Sequence, residues 1–187
     1  MISQETILTA IRSINKEKAA GLSSWTRPLL DIAIRPKTSP VVAFLRLLAD
    51  MIRQGTAPGQ DLLCASRLVG LQKDDGGVRP IAIGDLVYRV ALKAILLTSF
   101  RQSMLLPNQL GVNSLGGVEP VVVLLYDAIS GPNKNDVTDI ASLDLSNAFN
   151  TIGRTAIAAS VAKYALVLYR AAKWAYNRPL LLVTTTG

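Results

Sequence analysis

The chain has 187 residues, of which half are hydrophobic and 18% are charged, and its net charge of +7 gives a pI near 9.8. This composition excludes an intrinsically disordered chain and favours a phosphate-rich partner such as nucleic acid. Histidine is absent and Cys64 is the only cysteine, which excludes disulfide frameworks, the usual zinc sites and histidine-dependent nucleophiles. Any bound metal would therefore have oxygen ligands, as Mg²⁺ or Mn²⁺ prefers.

The N-terminal residues contain no apolar core of a secretory signal peptide. The longest apolar stretches are interrupted by Arg, Lys or Asp well short of the ~20 residues that a membrane span needs. We therefore expect an intracellular protein of the cytoplasm or nucleus.

Three helices are predicted in the first 60 residues. The first covers residues 5–18, where four isoleucines and leucines recur at helical spacing. A second is expected around Arg27–Ile34 and a third at Val41–Gln54, where Gly55 is suited to end the helix.

A β-hairpin is predicted next. The apolar runs Leu62–Gln72 and Val78–Ile83 flank the turn-forming segment Asp74–Gly77. Pro80 predicts that the second strand lies at a sheet edge or carries a bulge, and Cys64 is expected as a buried strand residue.

Helices follow the hairpin. Asp85 is a suitable N-cap for a helix over residues 86–100, which carries Arg89 and Lys93 four residues apart on one face. A further helix is expected near Val121–Ser130.

In the last third of the chain, the sequence pattern predicts a short strand at Ile140–Leu145, a long helix at Arg154–Trp174 and a final strand at Leu180–Thr184. Trp174, like Trp25, is expected in the core or at an interface. Helices mixed with hairpins indicate an α+β protein.

Asp144 is the main candidate for metal chemistry. It ends a predicted buried strand and precedes small residues and Phe149. A divalent metal would offset the cost of holding this carboxylate near an apolar interior. By spacing alone, the N-cap of a following helix is the slightly favoured role of Asp144, and both interpretations stay open.

Five segments resemble one family of enzymes. The segment DLSNAFNTI (144–152) resembles the first catalytic motif of reverse transcriptases in non-LTR (LINE-type) retrotransposons. Four more segments resemble this family in the expected order, although Ser and Leu replace acidic or Pro positions in the first and Val118 replaces a commoner alanine in the third. They are AAGLSSWTRPLL (19–30), ASRLVGLQKDDGGVRPIAIGDLVYRVALKAIL (65–96), QLGVNSLGGVEPVV (109–122) and WAYNRPLLL (174–182).

The resemblance implies roles for five residues. Asp144 and the backbone carbonyl of Leu145 would bind the catalytic metals, and Phe149 would wall the sugar pocket against a 2′-hydroxyl. Lys73 and Arg79 would contact the triphosphate of the incoming dNTP, since Arg can fork onto phosphate oxygens while Lys acts as a point charge. From the residues alone, the alternative interpretation is that both are solvated charges beside a β-turn.

Two basic residues have alternative roles, and two acidic residues are excluded from a catalytic role. Arg89 and Lys93 either line the template path or face solvent. Asp74 and Asp75 are not the family's second motif, Tyr/Phe-x-Asp-Asp, because they follow Gln72 and Lys73 and precede Asp144.

The implied fold is an incomplete right-hand polymerase. Residues 1–60 would form the helical N-terminal part of the fingers, residues 61–135 the fingers hairpin and connecting helices, and residues 136–187 part of the palm. The implied partners are an RNA template, a DNA primer and dNTP, with Mg²⁺ or Mn²⁺ in the complete enzyme. A single aspartate should bind Mg²⁺ weakly or not at all, so we expect these 187 residues to lack polymerase activity.

Three functions fit these expectations. The chain is part of an RNA-directed DNA polymerase, a non-catalytic nucleic-acid-binding protein, or a retrotransposon-derived protein that binds another protein as an effector or regulator. An uncovered strand edge of the partial palm, beside Leu180–Val183, also predicts self-association.

Overall fold

The computed structural model describes residues 1–36, 39–74, 76–105, 118–130 and 151–184, with the single residues 109, 116, 141 and 143. The chain divides into two compact units, one formed by residues 1–100 and 154–187 and the other by residues 101–153. Apart from Ala141 and Leu143, the predicted strand Ile140–Leu145 falls outside the described residues, as do the site residues Asp144, Leu145 and Phe149.

Helices form most of the first unit because apolar residues recur along it at helical spacing. α3 (Val41–Gln54) has the predicted bounds, and Gly55 ends it in the left-handed conformation (φ 78°) that glycine adopts at little cost. The other helices of this unit are α1 (Gln4–Arg12), α2 (Arg27–Ala33), α4 (Gln60–Leu63), α5 (Leu86–Ser99), α7 (Arg154–Tyr164) and α8 (Tyr169–Tyr176), with a 3-10 turn at Leu166–Leu168. The second unit contains α6 (Glu119–Ser130), as predicted, and a 3-10 turn at Gln102–Met104.

The core of the first unit lies between four helices. α1 packs on α3 and α5, and α3 packs on α5 and α8. Each fully buried aliphatic side chain stabilises the fold by about 1.5–3 kcal/mol. Among its fully or almost fully buried side chains are Ile7, Ile11, Leu45, Ile52, Val90 and Ile95.

The first unit also contains a three-stranded sheet. β1 (Ser66–Gln72) and β2 (Val78–Gly84) form an antiparallel hairpin, and β3 (Leu182–Thr184) pairs with β1 in parallel, so the strand order is β2-β1-β3. Pro80 lies on β2, an outer strand of the described sheet, which confirms the predicted edge position. The mixture of helices with this sheet confirms the α+β class.

The first predicted strand of the hairpin was too long. Residues 62–63 belong to α4, which begins after Gly59 in a left-handed conformation (φ 68°), and the strand starts only at Ser66. Cys64 is buried as predicted, but it ends α4 instead of lying in a strand. The difference is explained by a helical turn, in which Leu63 N–H donates to the Gly59 carbonyl and Cys64 N–H donates to the Gln60 carbonyl.

Two helix boundaries also differ from the prediction. α1 ends at Arg12 and not at residue 18, because the guanidinium of Arg27 binds the carbonyl oxygens of Ile11 and Ile14 and closes its last turn. The predicted helix Arg154–Trp174 is two helices separated at Ala165 (φ −143°, ψ 51°).

The break at Ala165 follows from packing. No residue of α7 is buried, whereas α8 buries Ala171, Trp174 and Ala175 against the core. The indole N–H of Trp174 also donates to the carbonyl of Ala57, 2.8 Å away. Docking of α8 on the core therefore outweighs continuation of one straight helix.

None of the helices described here is both long enough and apolar enough to cross a bilayer. The three-part polymerase division of the chain stays a prediction.

Candidate functional site

The hairpin ends in a tight turn that the sequence predicted. Lys73 N–H donates to the Gly77 carbonyl (2.8 Å), and Gly76 N–H donates to the Lys73 carbonyl (3.0 Å). Gly76 has φ 79°, a conformation that favours glycine at this position. The turn holds the two strands in register and fixes where Lys73 and Arg79 lie.

Lys73 and Arg79 share one face of the hairpin. Leu71 lies directly opposite Arg79, and Lys73 follows Leu71 by two residues, so the three positions have the same side-chain direction. Diagonal neighbours of this kind lie about 7–8 Å apart. Both basic side chains line one open cavity of about 470 Å³, which Leu71, Gln72 and Asp74 complete.

Two basic side chains, Lys73 and Arg79, line the cavity at the turn. Lys73 and Arg79 are both exposed, and neither side chain forms an ion pair or hydrogen bond with the residues that the structure describes. Asp74 is the one described acidic group in the lining. Two cations without an ion pair among the described residues suit a multiply charged anion, which an Arg fork and a Lys point charge can orient together.

Asp85 fixes the base of the hairpin. Its Oδ1 accepts a hydrogen bond from Val87 N–H (3.0 Å), which confirms the predicted N-cap of α5. Its Oδ2 accepts from Ser23 N–H (3.1 Å), a contact across 62 residues that the sequence did not indicate. Gly21 lies directly against the backbone of Gly84 and Asp85, so the segment before α2 is locked to the end of β2.

Cys64 is buried just before the hairpin, and Tyr88 of α5 is half-buried near it. The thiol of Cys64 lies near the hydroxyl of Tyr88, and burial raises the pKa of both groups above their ordinary values. The ring of Tyr88 packs on Trp174, with 6.2 Å between ring centroids. Cys64 therefore stays a neutral thiol and has a structural role. The prediction that Trp174 lies in the core is confirmed, and Trp25 is 37% exposed.

Arg89 and Lys93 do not line the cavity at the turn. Arg89 is half-buried near the start of α5 and Lys93 is exposed one turn later. Neither has an ion pair within the described part of the chain. Their position is compatible with contact to a nucleic-acid strand and with simple solvation, so both alternatives remain.

The predicted metal site involves Asp144, the Leu145 carbonyl and Phe149, which the structure does not describe. Within the residues that it does describe, no group of three or more Cys, Asp or Glu side chains could hold a metal ion. Asp75, the second acidic residue of the turn, is likewise outside them.

Comparison of the chain with protein-family models, with curated proteins and with solved structures gave no match. The hairpin, with Lys73 and Arg79 in one cavity, is therefore the main structural basis for a functional proposal.

Proposed function

We propose that this chain carries the fingers and the first part of the palm of an RNA-directed DNA polymerase of the non-LTR type. The observation that supports this most is the common cavity of Lys73 and Arg79 at the tip of the hairpin. In the resembling family, these two positions contact the triphosphate of the incoming dNTP. The order of the five similar segments gives the second support.

The proposed role of the two cations follows from their chemistry. Lys73 neutralises charge on the triphosphate, and Arg79 orients it through paired N–H donors. In the complete enzyme, Asp144 and the Leu145 carbonyl would hold Mg²⁺ or Mn²⁺, which supplies charge stabilisation for nucleotidyl transfer from dNTP to the 3′-hydroxyl of a primer. Phe149 would exclude ribonucleotides by walling the sugar pocket.

Triphosphate binding tests the proposed role of the hairpin. We expect Arg79→Gln to weaken dATP binding by about tenfold or more, because a charge-assisted hydrogen-bonded contact is lost. Titration of the 187-residue protein with a fluorescent dATP analogue measures the affinity, and the unphosphorylated nucleoside should bind far more weakly.

Arg12→Gln is the matched control for this test. Arg12 is exposed and pairs with Glu5 on α1, so its replacement removes the same charge without touching the hairpin. Equal dATP affinity in Arg79→Gln and wild type would contradict a triphosphate site at the turn.

Polymerase activity is not expected from these 187 residues. Two-metal phosphoryl transfer requires several carboxylates around the metal pair, and no Asp or Glu follows Asp144 in this sequence. Primer extension on an RNA template with Mg²⁺ should give no product, while a known reverse transcriptase under the same conditions extends the primer. Product formation that Asp144→Asn abolishes would refute this expectation.

A non-catalytic nucleic-acid-binding protein is the second candidate. The net charge of +7 favours it, as do Lys73 and Arg79, which are exposed and lie in one cavity. Binding of this kind weakens steeply with salt because counterions are released. Nucleic-acid binding that ignores salt concentration, or no binding at all, would exclude this candidate.

Self-association through β3 also remains a proposal. One edge of β3 is covered by β1, and no other strand of the described sheet pairs with the opposite edge. Leu180, Leu181 and Leu182 are 40–53% exposed beside it, and an unpaired apolar edge favours association between copies.

A further inference from the structure

Arg67 lies on the same face of the sheet as Lys73 and Arg79. Along β1 it precedes Lys73 by six residues, so their side chains point to the same side. In the sheet register its two neighbours are Ile83 of β2 and Val183 of β3. The three basic residues therefore occupy one surface, with Arg67 near the base of the hairpin and the other two at its tip.

The burial of Arg67 differs along its side chain. Its Nε is fully buried and has no hydrogen-bond partner among the described residues, while the residue as a whole is only half-buried. Adjacent strands are about 4.8 Å apart, so Ile83 and Val183 flank the aliphatic stem. The stem is held in place and the terminal nitrogens are left towards solvent.

A guanidinium held in this way is prepared for an anion. Burial of Nε restricts the side chain, so less side-chain entropy is lost when a ligand binds than for a fully exposed arginine. No carboxylate neutralises it within the described part of the chain. The cost of leaving its Nε without a partner would be offset if the terminal nitrogens bound a charged ligand.

The spacing of the three cations indicates the size of that ligand. At about 3.3 Å per residue, Arg67 lies about 13 Å from Arg79 and about 20 Å from Lys73 along the strands. One phosphate group cannot contact cations so far apart. Between them the face carries Val69, Ile81 and Leu71. Unpaired bases can lie on this apolar surface, whereas the bases of a duplex are stacked inside it and cannot reach the surface.

We propose that Arg67 is the inner contact of a single-stranded nucleic acid that runs along this face from the base of the hairpin towards its tip. The guanidinium of Arg67 binds a backbone phosphate, and the apolar residues between the cations contact the bases. This inference rests on the proposed function in taking nucleic acid as the partner, and it assigns Arg67 a ligand separate from the triphosphate of Lys73 and Arg79.

Arg67→Met tests the proposal because methionine keeps most of the apolar stem between Ile83 and Val183 and removes the charge. The probe is a fluorescein-labelled oligothymidylate of about 15 nucleotides, with anisotropy measured over a range of salt concentrations. We expect about tenfold weaker binding at low salt and a salt slope smaller by about 0.7, the value for one phosphate contact on a single strand. The affinity for dATP should stay within twofold of wild type.

Arg46→Met is the matched control. Arg46 is also half-buried, and its Nε is buried without a hydrogen-bond partner in the described part of the chain, but it lies on α3 and not on the hairpin. Its replacement should leave oligonucleotide binding unchanged. If Arg67→Met does not fold, Arg67→Lys decides: lysine keeps the charge but loses the fork, so binding should weaken about threefold with the salt slope retained.

Several outcomes overturn the inference. Wild-type oligonucleotide affinity and salt slope in Arg67→Met would show that Arg67 makes no such contact, and wild-type affinity in Arg67→Lys would show that the guanidinium fork does not bind the phosphate. Equal losses of dATP and oligonucleotide binding would place Arg67 in the triphosphate site instead. If Arg79→Gln weakens dATP binding and Arg67→Met changes nothing, only the Arg67 inference fails, whereas no effect of either variant refutes the proposed function as well.

Discussion

Replacement of Arg27 by methionine should lower the free energy of unfolding by about 3 kcal/mol. Arg27 is buried at the start of α2 and forms a 2.8 Å ion pair with Asp31. Its guanidinium also donates to the carbonyl oxygens of Ile11 and Ile14 at the end of α1. The substitution leaves a partly buried carboxylate and two carbonyls without their donor, and each such loss destabilises the folded state.

Urea unfolding followed by circular dichroism measures this effect. Arg12→Met is the control, since Arg12 forms an ion pair in which both side chains are mostly exposed, and exposed pairs contribute about 0–1 kcal/mol. A change below 1 kcal/mol for Arg27→Met would show that the guanidinium does not hold α1 and α2 together.

Replacement of Gly21 by alanine should destabilise the protein by about 2–3 kcal/mol. A Cβ at this position would lie 2.7 Å from the Cα of Asp85 and 2.9 Å from both the Asp85 nitrogen and the Gly84 oxygen. All three are backbone atoms, so the segment before α2 must move away. That movement would also lengthen the bond from Ser23 N–H to the Asp85 carboxylate.

Gly84→Ala is a matched control, since Gly84 is the last residue of β2 and directly precedes Asp85. A Cβ there would meet only the Ser66 hydroxyl, at 3.8 Å, which is an ordinary contact. Thermal melting of both variants should therefore show a large loss of Tm for Gly21→Ala and a small one for Gly84→Ala. Equal losses would contradict the steric explanation.

Local signals predicted much of the fold. The bounds of α3 and its end at Gly55 were correct because the apolar period and the glycine both lie within the helix and its next residue. The hairpin, its turn and the N-cap Asp85 were also correct, since each depends on residues close together in sequence. Lys73 and Arg79 flank the turn as the sequence indicated, because their positions depend on the same short-range geometry.

Features that depend on distant residues could not be predicted. The early end of α1 requires Arg27, the break at Ala165 requires docking of α8 on the core, and α4 replaces two strand positions through a turn at Gly59. Arg67 gave no signal because its surroundings include Val183, more than 100 residues later. Assignment to a polymerase rests on resemblance and stays a proposal, as do the roles of Asp144, Leu145 and Phe149.

The parallel pairing of β3 with β1 has a consequence for synthesis of the protein. Ser66 meets Leu182 in that pairing, so the second edge of β1 stays open until more than 100 further residues have left the ribosome. At translation rates of about 5–20 residues per second, this takes on the order of 5–20 s. The hairpin forms within microseconds and then waits with an unpaired edge. Nascent chains halted before residue 182 should therefore engage chaperones or associate more readily than the released protein.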